Sequence, residues 1–267
     1  MAITSFIPAV CSDFKIGDDD LGTKAITALI KFAIQFSELA NHPMVLQLVS
    51  GSAIRSVDFK AGAKIKFRVN TIDQDVAYQH TLDRLAFCFD QVAPANLKRL
   101  RIAMELEPGP LFLLRDRETL TDFCDAVDDH PSQAVRERVG LNLDIAHWCL
   151  ADITTEWIQD KPTIKSKIFH SHISGHSRRG HFGDFSLEQL DDELKKDYKQ
   201  WLRFLAKDLD ALKGFSGTTS VEYEVSKNTD MVSESVEELV RWIDEMEKPE
   251  PSAVPNAPEN LNPSASN

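Results

Sequence analysis

Apolar residues in this chain form short unbroken runs, separated by longer stretches in which they recur every three or four positions. The runs at residues 3–10, 44–49, 101–104, 139–143, 167–173 and 218–225 read as β-strands. Between them, residues 24–40 carry Ile26, Leu29, Ile30, Ala33, Phe36 and Leu39 on one helical stripe. Residues 73–97 read as helix interrupted near Pro94, and residues 117–128 as a further helix. Residues 186–213 read as one long amphipathic helix, with Ser186 at its N-cap and Gly214 at its C-terminal end. A last helix opens on the capping box Ser235-Val236-Glu237-Glu238, with Val236, Leu239, Val240, Ile243 and Met246 on one apolar face.

Strands and helices that alternate in this way predict an α/β fold with a parallel sheet and helices outside it. Six strands are evident, whereas a closed (β/α) barrel has eight. Residues 64–69 alternate polar and apolar, a pattern closer to a surface excursion than to a barrel strand. One domain over residues 1–247 is expected. Residues 248–267 hold Pro249, Pro251, Pro255, Pro258 and Pro263 among Ser, Ala and Asn, and read as a disordered tail.

Hydrophobic content of 42% and charged content of 27% are those of an ordinary globular chain. The net charge of −12 argues against a nucleic-acid partner, which needs a concentrated basic surface. The four cysteines are scattered, and Cys88 and Cys124 sit in apolar helical segments, as reduced core thiols do. No run approaches the length of a membrane span and the first residues lack a basic leader, so a cytoplasmic location with no membrane association is expected. Nothing in the pattern forbids a homo-oligomer.

The chemistry lies where the strands stop. Met104-Glu105-Leu106-Glu107, Leu141-Asn142-Leu143-Asp144, Ile168-Phe169-His170-Ser171-His172 and Ser220-Val221-Glu222-Tyr223-Glu224 each run from apolar residues into carboxylates or imidazoles. In an extended chain Glu105 and Glu107 face one way, as do Glu222 and Glu224, and His170 and His172. Of that last pair both could face a site, or one could fill the layer beneath. Five of the eight histidines lie between His147 and His181. Converging buried carboxylates demand a cation, and strand ends are where parallel barrels place catalytic groups. A metal-dependent enzyme is the first expectation.

These motifs resemble the xylose isomerase-like TIM barrels, a group that includes sugar and sugar-phosphate isomerases and epimerases. Met104-Glu105-Leu106-Glu107-Pro108-Gly109 is similar to the fifth strand of that family, Leu141 to His147 to its sixth with an Asp-x-x-His motif, His170 to Ser174 with Arg178 to its seventh, and Val221 to Glu224 to its eighth. The resemblance implies a TIM-barrel-like fold entered at its third strand. It implies one divalent metal, Mn²⁺ or Mg²⁺ with Co²⁺ or Zn²⁺ as alternatives, held by Glu105, Asp144, His172 and Glu222. It also implies that Glu105 and Glu222 transfer the proton through an enediolate, and that His147, Arg178, Glu107 and His181 bind a small sugar or sugar phosphate. Multi-zinc endonucleases of the superfamily carry Asp where this chain has Arg179. A metal-dependent dehydratase or hydrolase on the same scaffold, or a shortened homologue without catalysis, stand as alternatives.

Overall fold

The computed structural model describes residues 2–5, 21–51, 54–60, 66–110, 112–177, 180–209, 218–221 and 229–247. Its strands are, in chain order, β1 (Ala2–Ser5), β2 (Met44–Val49), β3 (Ile54–Lys60), β4 (Lys66–Thr71), β5 (Leu100–Glu105), β6 (Val139–Asp144), β7 (Ile168–Ile173), β8 (Gly175–Ser177), β9 (Gly180–Phe185) and β10 (Thr218–Val221). The helices are α1 (Leu21–Ala40), α2 (Gln74–Asp90), α3 (Pro94–Leu97), α4 (Arg117–Asp129), α5 (Gln133–Arg138), α6 (Ile145–Leu150), α7 (Thr155–Gln159), α8 (Pro162–Lys167), α9 (Asp192–Arg203) and α10 (Thr229–Glu247).

Six strands lie side by side in the order β1-β2-β5-β6-β7-β10, every neighbouring pair parallel. This is an open part of a (β/α) barrel, with β1 and β10 at its two edges among the described residues. The apolar runs explain it. Every residue of β6 and β7 is buried, as strands covered on both faces must be. Parallel strands bring all their C-terminal ends to one side, which is what gathers Glu105, Asp144 and His172. Of the alternating segment at 64–69, residues 66–69 lie in β4, which pairs antiparallel with β3 in a two-stranded sheet separate from the six-stranded one.

Two helices differ from expectation. Ser186 precedes only one 3-10 turn, Leu187–Gln189, and the chain then breaks at Leu190. Asp191 caps α9, accepting from the Leu194 N–H at 2.8 Å, so a stronger cap five residues on sets the start of the helix. After Arg203 the helix widens into a π-turn, Phe204–Leu209. The C-terminal helix begins at Thr229, which places Ser235 inside it. The Ser235 hydroxyl accepts from the Leu187 N–H at 2.9 Å instead of capping its own helix. The buried face of α10 is Ser235, Glu238 and Trp242, and Val236, Val240 and Ile243 are exposed. Trp242 has the larger apolar area and its indole N–H bonds to Glu238 at 2.6 Å, so the helix turns to bury that pair.

Seven of the eight exposed large apolar side chains of the described residues are Leu21, Phe32 and Leu39 on α1 and Val232, Val236, Val240 and Ile243 on α10. Of these two helices, α1 packs on β2 and α2, and α10 on β10 and the 3-10 turn at Leu187–Gln189. Cys88 and Cys124 are buried free thiols, and Cys149 is half-buried. Burial pushes the Cys124 thiol far above its usual range. No helix among the described residues is long and apolar enough to cross a membrane. Cys11 and the proline-rich stretch 248–267 lie outside the described residues.

Gly140 is the tightest point of the sheet. A Cβ there would lie 2.1 Å from the Lys167 carbonyl and 2.6 Å from the Phe169 ring. Backbone cannot yield as a side chain can, so Gly140→Ala should cost more than about 3 kcal/mol and markedly lower the denaturation midpoint. Gly109→Ala meets only the edge of Phe112, at 3.3 Å, and should be close to neutral. Comparable midpoints for the two variants would contradict this packing.

Candidate metal centre

Register fixes where each side chain stands. Glu105 pairs with Asn142 across β5 and β6, and Asp144 pairs with His172 across β6 and β7. Alternation then puts Asn142 and Asp144 on one face of β6, and His170 and His172 on one face of β7. Two layers result. Glu105, Asn142 and His170 form the lower; Asp144 and His172 form the upper, with the Glu105 carboxylate reaching up to it. The rings of His170 and His172 meet edge to face at 4.9 Å, and His170 Nε2 lies 3.3 Å from the Ser220 hydroxyl. His170 is therefore the residue that fills the layer beneath.

Glu105, Asp144 and His172 each offer one ligand atom, and these atoms lie within 4.8 Å of one another. His172 Nδ1 is 3.7 Å from Glu105 Oε1 and 3.9 Å from Asp144 Oδ2. Such separations suit atoms that share a cation at about 2.0–2.6 Å. All three side chains are at most 3% exposed, which leaves solvent little part in balancing their charge. Asp144 Oδ1 accepts from the His147 N–H at 3.0 Å and caps α6. Asp144 Oδ2 is buried and accepts no hydrogen bond from the described residues. Burial, with repulsion from Glu105, raises the Asp144 pKa against the pull of His147 and His172. A buried, under-satisfied carboxylate beside a second carboxylate and an imidazole fits a divalent ion.

Glu105 is held from both sides. The Gln47 amide, from β2, donates to its Oε2, and the Asn142 amide donates to Oε1 at 3.2 Å. Neutral donors on both oxygens fix the orientation of the carboxylate. Neither amide is itself a residue that the sequence marks as chemical. Their signal was a lone polar residue inside each apolar strand, with Asn142 sharing the parity of Asp144.

A second group, Glu105, Glu107 and His147, is also close-set. His147 Nδ1 is 3.7 Å from Glu105 Oε1 and 3.8 Å from Glu107 Oε2, but it bonds to the Leu106 carbonyl at 2.9 Å. A carbonyl only accepts, so that nitrogen carries a proton rather than a lone pair for a metal. Burial works against the charge on this ring, but Asp144, Glu107 and Glu105 outweigh it and hold the pKa up to about 9. The structure thus brings Glu105, Asp144, His172, His147 and Glu107 to one place. Glu222 and Arg178 lie outside the described residues, and His181 falls on β9.

A family model described as a xylose isomerase-like TIM barrel matches residues 3–246. No curated protein matches the chain by sequence. Among solved structures, the fold is similar to that of the IOLI protein with a bound zinc atom. The two share 17% identity and a TM-score of 0.54 over 92% of this chain and 76% of that one. It is also similar to a xylose isomerase-like TIM barrel/4-hydroxyphenylpyruvate dioxygenase fusion protein, at 15% identity and a TM-score of 0.50, over 93% of this chain and 36% of that one. A sugar phosphate isomerase/epimerase from Parabacteroides distasonis ATCC 8503 shares 12% identity, with a TM-score of 0.48 over 88% of this chain and 71% of that one. At these identities the likeness is one of fold.

The strain at Asp144 has a measurable consequence. Asp144→Asn keeps an oxygen to cap α6 and removes the buried charge. In metal-free protein the change should raise Tm by several degrees, at about 2–4 °C for each kcal/mol relieved. A Tm that falls or stays level would show that the Asp144 charge is already balanced without an ion.

Proposed function

The chain belongs to the xylose isomerase-like TIM barrel family, and from that footing we propose that it is a divalent-metal-dependent isomerase or epimerase of a small sugar or sugar phosphate. The observation that carries this is the buried convergence of Glu105, Asp144 and His172 at the ends of three adjacent parallel strands. Glu222, two residues beyond Ser220 on the next strand's path, is the fourth ligand we assign. Three carboxylates and one imidazole are a hard, oxygen-rich set, suited to Mn²⁺ or Mg²⁺ and tolerant of Co²⁺ or Zn²⁺. When bound, such an ion supplies Lewis-acid stabilisation to the negative charge that develops on a carbonyl oxygen as the neighbouring C–H is deprotonated.

The remaining roles belong to the chain itself. The Gln47 and Asn142 amides hold Glu105 aimed by one hydrogen bond to each carboxylate oxygen. Glu105 and Glu222 are the carboxylates we assign to proton removal and return. Asp144, Glu107 and Glu105 raise the pKa of His147 to about 9 against the effect of burial. Its Nδ1–H is anchored on Leu106, and its Nε2–H is the donor we assign to a substrate hydroxyl. Glu107, partly exposed beside it, accepts from a second hydroxyl. Arg178 and His181 complete the proposed sugar contacts.

The test is hydrogen exchange at carbon. Mn²⁺-loaded protein is incubated in D₂O with a panel of ketoses and ketose phosphates, and deuterium at the position alpha to the carbonyl is followed by NMR. We expect incorporation with at least one sugar and one metal per chain. Glu105→Gln should reduce the rate by about 10²–10⁴-fold, and His172→Ala should lose the metal. Full metal occupancy with no exchange on any sugar would overturn the isomerase assignment in favour of other metal chemistry on this scaffold. Folded protein that takes up no metal would overturn both.

A further inference from the structure

Past β7 the chain does not return directly to a helix. Ser174 leads into the β8–β9 hairpin, three residues paired antiparallel with six. In sequence this ribbon carries Arg178, Arg179 and His181, three basic residues in a chain of net charge −12. Isolated two-stranded ribbons are at best marginally stable in water, so something must hold this one.

The holding group is Tyr198, which is fully buried on α9. Its hydroxyl donates to the Ser174 carbonyl at 2.5 Å and lies 2.8 Å from His176 Nδ1. A carbonyl can only accept, and a phenol has one hydrogen, so the bond to Ser174 uses it. His176 must then donate, from Nδ1–H, into the phenolic oxygen. The two rings also stack, with centroids 5.8 Å apart and 23° between their planes. Ser174 and His176 are both buried. One tyrosine thus binds Ser174, the residue just before the hairpin, and His176, the middle residue of β8, by two bonds shielded from water. β9 in turn lies against α6, the helix that Asp144 caps and that carries His147.

We propose that Tyr198 and His176 are positioning residues for the substrate side of this site. They clip the β8–β9 hairpin at the C-terminal mouth of the sheet, so that its loss of order weakens substrate binding and leaves the metal triad intact. The proposal rests on the enzyme assignment above for its substrate arm, while the clip itself is a matter of structure. Neither residue belongs to the metal group, and neither is asked to touch substrate.

Tyr198→Phe keeps the stack and removes both bonds. His176→Ala removes one bond and the stack, from the hairpin side. His176→Asn presents an amide N–H where Nδ1–H stood and serves as the conservative rescue. Hydrogen–deuterium exchange is read over residues 175–185, metal content by elemental analysis, and KM and kcat on whichever sugar the panel identifies. We expect hairpin amides to exchange about tenfold faster in His176→Ala, equivalent to about 1.4 kcal/mol or one buried hydrogen bond, and at least that much faster in Tyr198→Phe, which loses both. KM should rise by about the same factor, with kcat within about twofold and Mn²⁺ stoichiometry unchanged. His176→Asn should stay near wild type in each measure.

Unchanged exchange in Tyr198→Phe would overturn the clip. Faster exchange with unchanged KM would overturn its positioning role, and so would loss of metal in either variant. If the wild-type protein turns over no sugar, the enzyme assignment fails on its own, and the exchange measurement still decides whether the clip exists.

Discussion

Three ionisable side chains on adjacent strands share a space from which water is nearly excluded. Glu105, Asp144 and His172 are buried with one ligand atom of each within 4.8 Å of the others, and two of them are carboxyl groups. Coulomb repulsion between buried carboxylates is severe, and burial raises the free energy of each charged form further. The raised pKa of Asp144 and its unbonded Oδ2 express that tension. Sharing a divalent ion relieves both at once. Removing the charges would relieve it too, at the expense of any metal chemistry.

The sheet exists in the form needed to hold this group. Parallel strands deliver their C-terminal ends to one side, and the uninterrupted apolar sequences of β6 and β7 leave no solvent-facing side from which the residues could escape. Support continues outward in layers. Gln47 and Asn142 grip Glu105, Asp144 caps the helix that carries His147, and the Leu106 carbonyl sets the ring of His147. Each contact fixes a side chain by its neighbour on the next strand or helix, so the geometry of the site is the geometry of the sheet.

How much of this was visible in the sequence follows from the kind of force involved. The six sheet strands and their order were readable because burial on both faces demands unbroken apolar runs. The same runs end in Glu105, Asp144 and His172, which the parallel strands bring together. Helix details were less readable because competing local interactions decide them. Asp191 offered a better cap than Ser186 and divided one expected helix into a 3-10 turn and α9. On α10, Trp242 paired with Glu238 prevailed over a stripe of smaller valines, and the valines face outward. Gln47 and Asn142 were passed over because a single amide in an apolar strand shows its purpose only once register places it beside Glu105. The clip from Tyr198 to His176 joins residues 22 apart on different elements, and no local pattern marks it.

The central claim is that these strand ends form one divalent-metal site, and anomalous diffraction from crystals soaked in Mn²⁺ tests it most directly. The account predicts a single strong anomalous peak at the C-terminal mouth of the sheet, within about 2.0–2.6 Å of Glu105, Asp144 and His172 side-chain atoms. A peak placed elsewhere, or intact crystals with none at that position, would contradict it.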